Sequence, residues 1–92
     1  MVQNGNIVYM GTGTRKFREN DAVSLRIAKM IDDEREKQGI SLRDLAIKTG
    51  TSHPTLSRIF SGDRVMMLPE LDALCEVLGL VPWQIMKRAE EE

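Results

Sequence analysis

From residue 21 onward, apolar side chains recur every three or four positions, the period of a helix, and glycine interrupts the recurrence at 39, 50, 62 and 79. The first segment, about 21–37, sets Val23, Ile27, Met30 and Ile31 on one face and charged residues on the other, and Gly39 stops it. The second follows Ser41 and covers about 42–49, with Leu42, Leu45 and Ala46 turned inward. Ser41 followed three residues later by Asp44 is a capping-box pattern with Asp in place of Glu, and Gly50 ends the helix in the left-handed conformation that glycine adopts cheaply. The third, about 53–61, takes Ser52 as its cap and tolerates Pro54 because first-turn amides have no acceptor within the helix. Leu56, Ile59 and Phe60 point inward, and Gly62 closes it. The fourth, about 69–78, opens on Pro69 and aligns Leu71, Leu74, Cys75 and Leu78. The fifth starts near Pro82, carries Trp83, Ile85 and Met86, of which Trp83 is expected in the core, and fades into an acidic end. Five short helices with short links predict a compact all-α domain over 21–92.

Residues 1–20 have no helical period and hold Gly5, Gly11 and Gly13, so a frayed, flexible arm is expected. Ile7-Val8-Tyr9-Met10 has strand propensity and is the alternative, a strand added at a dimer contact. Gly11-Thr12-Gly13-Thr14 lacks the glycine spacing and the Lys-Ser/Thr of a phosphate loop.

Composition narrows the function classes. Ninety-two residues, 41% of them hydrophobic, build one small core. Cys75 is the lone cysteine, which excludes an internal disulfide and a thiolate metal cluster. His53 is the lone histidine, so a His-based dyad or ligand set is not expected. No carboxylate pair, nucleophile–base set or metal cluster stands out, so neither an enzyme nor a cofactor or metal is expected. No run is long and apolar enough for a membrane span or a signal peptide, and a cytoplasmic location is expected.

The net charge of −1 hides an asymmetry. Residues 1–20 carry +2, residues 21–40 carry −1, residues 41–64 carry +2 and residues 65–92 carry −4. The second and third helices and the arm are therefore locally basic, which is what attraction to phosphate requires whatever the total. A short helix, a glycine turn and a second short helix with small, polar and basic residues on its outer face form the layout of a helix-turn-helix.

Gly39, Ser41, Leu45-Ala46, Gly50, Ser52, Leu56-Ser57-Arg58-Ile59, Gly62 and Leu78-Gly79, in this order and spacing, resemble the lambda-repressor-like helix-turn-helix family, the Xre/Cro group of phage and bacterial regulators. The resemblance covers Val23 to Met86 and implies five helices, the third as recognition helix, and a two-fold dimer on DNA. The chain departs from the family at three places. Leu42 stands where a Gln often supports a phosphate contact, Phe60 where a Glu is usual, and Met66-Met67 where Pro-Ser often precedes the fourth helix. The methionine pair is expected either tucked under the fourth helix or exposed as a dimer contact.

Base readout needs side chains that reach the major-groove edges. Arg58 is the first candidate, because its planar fork matches the two acceptors of guanine; a phosphate contact or a surface ion pair is the bland alternative. His53 can donate to guanine or a phosphate, Pro54 can pack on a thymine methyl, and Ser57 admits close approach. By family position, Ser41, Arg43, Thr51, Ser52, Thr55, Ser61 and Arg64 are phosphate candidates, aided by the positive N-termini of the second and third helices; Ser41 and Ser52 serve equally well as caps alone. Arg15, Lys16 and Arg18 form a candidate DNA-binding arm.

The resulting expectation is a sequence-specific regulator of double-stranded DNA, a Cro-like phage or prophage repressor that occludes polymerase at a palindromic operator. It would act as a homodimer, formed in solution or on the DNA, through the fifth helix, Met66-Met67 or Ile7–Met10. With no separate sensor or protease-like region, no ligand switch or self-cleavage is expected. The alternative is an antitoxin that neutralises a protein toxin and autoregulates its operon, and a third class is an interaction adaptor on the same fold.

Overall fold

The computed structural model describes residues 22–91, which form five helices: α1 (Ala22–Lys37), α2 (Leu42–Thr49), α3 (His53–Ser61), α4 (Leu68–Leu78) and α5 (Pro82–Glu91). Arg15, Lys16, Arg18 and the Ile7–Met10 run lie outside the described residues. Among those described, no helix is long and apolar enough to cross a membrane.

The middle helices are fixed at both ends by short-range bonds. Asp44 N–H donates to Ser41 Oγ at 3.0 Å, and Gly50, at φ +73°, donates its own N–H to the Ala46 carbonyl. Only the first half of the expected capping box forms. At α3, Thr55 N–H donates to Ser52 Oγ at 3.2 Å and the Ser52 hydroxyl lies 2.8 Å from Thr55 Oγ1. Such caps contribute about 1 kcal/mol each, and an eight-residue helix like α2 does not persist on propensity alone. The helix α4 begins one residue earlier than expected, at Leu68, with Pro69 second. Its first turn is held by Glu70, whose Oε1 accepts the Met67 N–H at 2.8 Å.

The helices meet around Ile31, Leu45, Leu56, Ile59, Leu74 and Cys75, all but withdrawn from solvent. Burying one such aliphatic side chain is worth about 1.5–3 kcal/mol. The helix α1 lies against α5 and α3, and α2 against α3 and α4, so α3 is braced from both sides with one face left over. Burial pushes the Cys75 thiol above its ordinary pKa, with the Asp72 carboxylate adding to the effect.

Three placements differ from expectation. Trp83 is 59% exposed rather than core. The buried stripe of α5 is Ile85–Ala89, and Trp83 precedes Ile85 by two residues, about 200° around the helix. The buried line of α1 is Ala28 and Ile31; Ile27 and Met30 pack at its edge and Val23 is half-buried. The methionine pair splits, with Met66 against the core and Met67 exposed.

Candidate nucleic-acid interface

Two interior residues on each side fix how α3 is held out: Leu45 and Ala46 from α2, Leu56 and Ile59 from α3. Gly50 makes the bend between them, and Thr51 N–H donates back to the Ala46 carbonyl at 3.2 Å. At the far end Gly62 has φ +89°, and a Cβ there would lie 3.1 Å from Leu25 Cδ2 of α1. A left-handed conformation and a close approach thus coincide, and glycine meets both without displacing Leu25.

With Leu56 and Ile59 inward, His53, Pro54, Ser57 and Arg58 are exposed on the opposite side. Each pair four apart, His53 with Ser57 and Pro54 with Arg58, lies on one line of the helix. None of these four side chains has a hydrogen bond or ion pair within the described residues. The face is rigidly mounted, polar and unengaged.

The candidates for phosphate contact stand in different conditions. Arg43 is exposed and unpaired among the described residues. Ser41 and Ser52 act as caps, the Ser41 hydroxyl proton remaining available, while Ser52 spends its proton on Thr55. Thr51 and Thr55 are half-buried. Ser61 Oγ lies 3.1 Å from the Arg58 carbonyl and 3.2 Å from Asp63 Oδ2, two acceptors for its one proton. Arg64 is ion-paired, with Nη1 2.8 Å from Glu70 Oε1. The pairing holds the Glu70 carboxyl below the usual carboxylate range and raises the Arg64 guanidinium, so both remain charged at neutral pH. Arg43, Ser41 and Ser52 therefore bracket the N-termini of α2 and α3, whose unbonded amides favour an anion.

Glu70 is the residue that sequence reasoning missed. Its signal was the three-residue spacing from Met67, obscured because methionine is no cap. Among the described residues no group of three or more His, Cys, Asp or Glu side chains is placed to hold a metal ion.

Comparison with known proteins agrees with this geometry. The structure superposes on the clp gene regulator ClgR from Corynebacterium glutamicum with a TM-score of 0.70 at 21% identity, covering 78% of this chain and 77% of that one. It superposes on the restriction-modification controller protein C.AhdI from Aeromonas hydrophila with a TM-score of 0.65 at 20% identity, covering 71% and 98%. At these identities the likeness is one of fold. No curated protein matches significantly by sequence. A family profile described as a helix-turn-helix domain matches residues 32–83, from the last turns of α1 to the start of α5. With more than half its length inside that match, and five helices in the lambda-repressor-like arrangement, the chain belongs to the helix-turn-helix family of DNA-binding regulators.

Proposed function

We propose that this protein is a sequence-specific transcriptional regulator that places α3 in the major groove of an operator and represses by occluding polymerase. The observation that carries the reading is the outer face of α3: His53, Pro54, Ser57 and Arg58 are exposed on a doubly capped helix with no partner among the described residues. Arg58 reads a guanine, His53 and Ser57 donate to neighbouring base edges or phosphates, and Pro54 packs on a thymine methyl. Arg43, Ser41, Thr51, Ser52, Thr55, Ser61 and Arg64 set the register on the backbone. Gene control is also the role of one structural neighbour, the clp gene regulator ClgR.

The operator is a two-fold repeat, and the second copy docks on the apolar face formed by the α3–α4 link, the start of α4, α1 and α5. Leu68 is 72% exposed there beside Met67. A groove of about 160 Å³ runs between Ile27, Met66, Leu68, Leu71 and Met86. This surface includes Met66 of the link that joins α3 to α4, so a contact through it fixes the distance between two recognition helices, as half-sites one helical turn apart require.

Selection from a random duplex library tests the reading, with the winning sequence titrated against salt for the wild type and Arg58→Ala. An inverted-repeat winner and relaxed specificity at one position in the variant, worth roughly 1–3 kcal/mol, support it. Absence of any enriched duplex refutes it and shifts the case to the antitoxin class, whose partner is a protein.

A further inference from the structure

The link between α3 and α4 is held from two directions. At its start, Asp63 N–H and Arg64 N–H both donate to the Arg58 carbonyl, at 2.8 and 3.2 Å. At its end, one oxygen of Glu70 accepts both the Met67 N–H and Arg64 Nη1, each at 2.8 Å. Arg64 is thus joined by its backbone to the turn that carries Arg58 and by its side chain to the first turn of α4. Its side chain is 32% exposed, and the bond to Glu70 occupies one of five guanidinium N–H donors. The remaining donors belong to a side chain tethered to α4, in the link that follows the recognition helix.

We infer that Glu70 is a positioning residue for DNA binding: it orients Arg64 so that the open side of the guanidinium meets a backbone phosphate beyond the end of α3. This rests on the reading of α3 as a recognition helix. An exposed arginine loses rotamer freedom when it docks on phosphate; one already held by a carboxylate has lost much of it beforehand. The arrangement runs against the simple expectation for charge, in which an acidic side chain close to the DNA surface weakens attraction. For Glu70 to help, orientation must outweigh the lost attraction; Glu70 is the less exposed of the two, at 19% against 32%.

The test is a double-mutant cycle on the full chain with Glu70→Gln, Arg64→Ala and their combination. Binding is read on a random-sequence duplex and on the selected operator, across a salt series. Thermal unfolding of each variant sets a temperature at which all are folded. Glu70→Gln keeps one acceptor oxygen for Met67 N–H, removes the charge and turns the other oxygen into a donor, which weakens the hold on Arg64. It should weaken binding to both duplexes about 3- to 10-fold with the salt slope almost unchanged, as loss of one oriented charge-assisted bond implies. Arg64→Ala should lose a similar factor and lower the salt slope by about one contact. In the Arg64→Ala background, Glu70→Gln should have no further effect. Arg64→Lys should keep the slope and be indifferent to Glu70→Gln. Equal or tighter binding by Glu70→Gln, or additive effects of the two changes, overturns the inference while the DNA-binding reading stands. A wild type that binds neither duplex overturns both.

Discussion

The unit α2–α3 and the pair α1–α5 are stabilised in opposite ways. In α2–α3 nearly every polar tie is local: Ser41 to Asp44, Ser52 to Thr55, Thr51 to Ala46. Around α1, beside local ion pairs, two bonds join distant parts of the chain. Arg26 Nε donates to the Ala89 carbonyl at 2.6 Å, near the end of α5, and the Gln38 amide, just past α1, donates at 2.7 Å to the Leu78 carbonyl at the end of α4. A unit specified by its own neighbours can be mounted on a scaffold and keep its shape, leaving an entire face of α3 for a ligand. A unit specified by long-range bonds is the scaffold. The outer surfaces differ accordingly. The four outward side chains of α3 are unengaged, whereas α1 carries ion pairs such as Arg35 with Asp32.

The largest effect that breaks this contrast is expected where the two regions share a core. Leu56→Ala removes a fully buried side chain between them and should cost about 2–5 kcal/mol, read as a lower midpoint in urea unfolding. Gly62→Ala meets both a positive φ and Leu25, and should lower stability by about 1–3 kcal/mol by the same measurement. Arg26→Met leaves the Ala89 carbonyl without its donor and should cost about 1 kcal/mol. Hydrogen exchange should then open α5 while α2–α3 keeps its protection. Ser52→Ala is the mirror image, a loss of about 1 kcal/mol with protection lost at the start of α3. Uniform loss of protection in either variant would show that the two regions open together.

The smallest effect is acid dependence. Because Glu70 has its pKa lowered in the fold, chiefly by Arg64, the stability it confers is present above the ordinary carboxylate range and disappears as pH falls through the folded value. The pair is partly exposed, so the contribution is modest. Unfolding midpoints of wild type and Glu70→Gln should converge as the solution is acidified through that range.

The same contrast explains what was legible in the sequence. Caps, left-handed glycines and the Leu56–Ile59 stripe are signals within four residues of one another, and all five helices followed from them. The outward set on α3 followed too, being what remains once the stripe is assigned. The pairs Arg26–Ala89 and Gln38–Leu78 have no short-range signal; they exist only once helices are packed. Arg64–Glu70 is six residues apart, and it was hidden because Met67 gave no cap signal. Ala28 and Ala89 were overlooked as core because small side chains give little periodic contrast, although close helix contact favours them. Trp83 is exposed despite its hydrophobicity because its phase on α5 puts it on the opposite side from Ile85.

Cys75 makes the stability of the whole domain measurable without denaturant. It is the only thiol in the chain, completely buried in α4, and its desolvation keeps it in the unreactive protonated form. An alkylating reagent can reach it only when the core opens. The labelling rate under native conditions is therefore a clock for that opening, and its slowing on addition of a duplex would report how strongly bound DNA holds the domain shut.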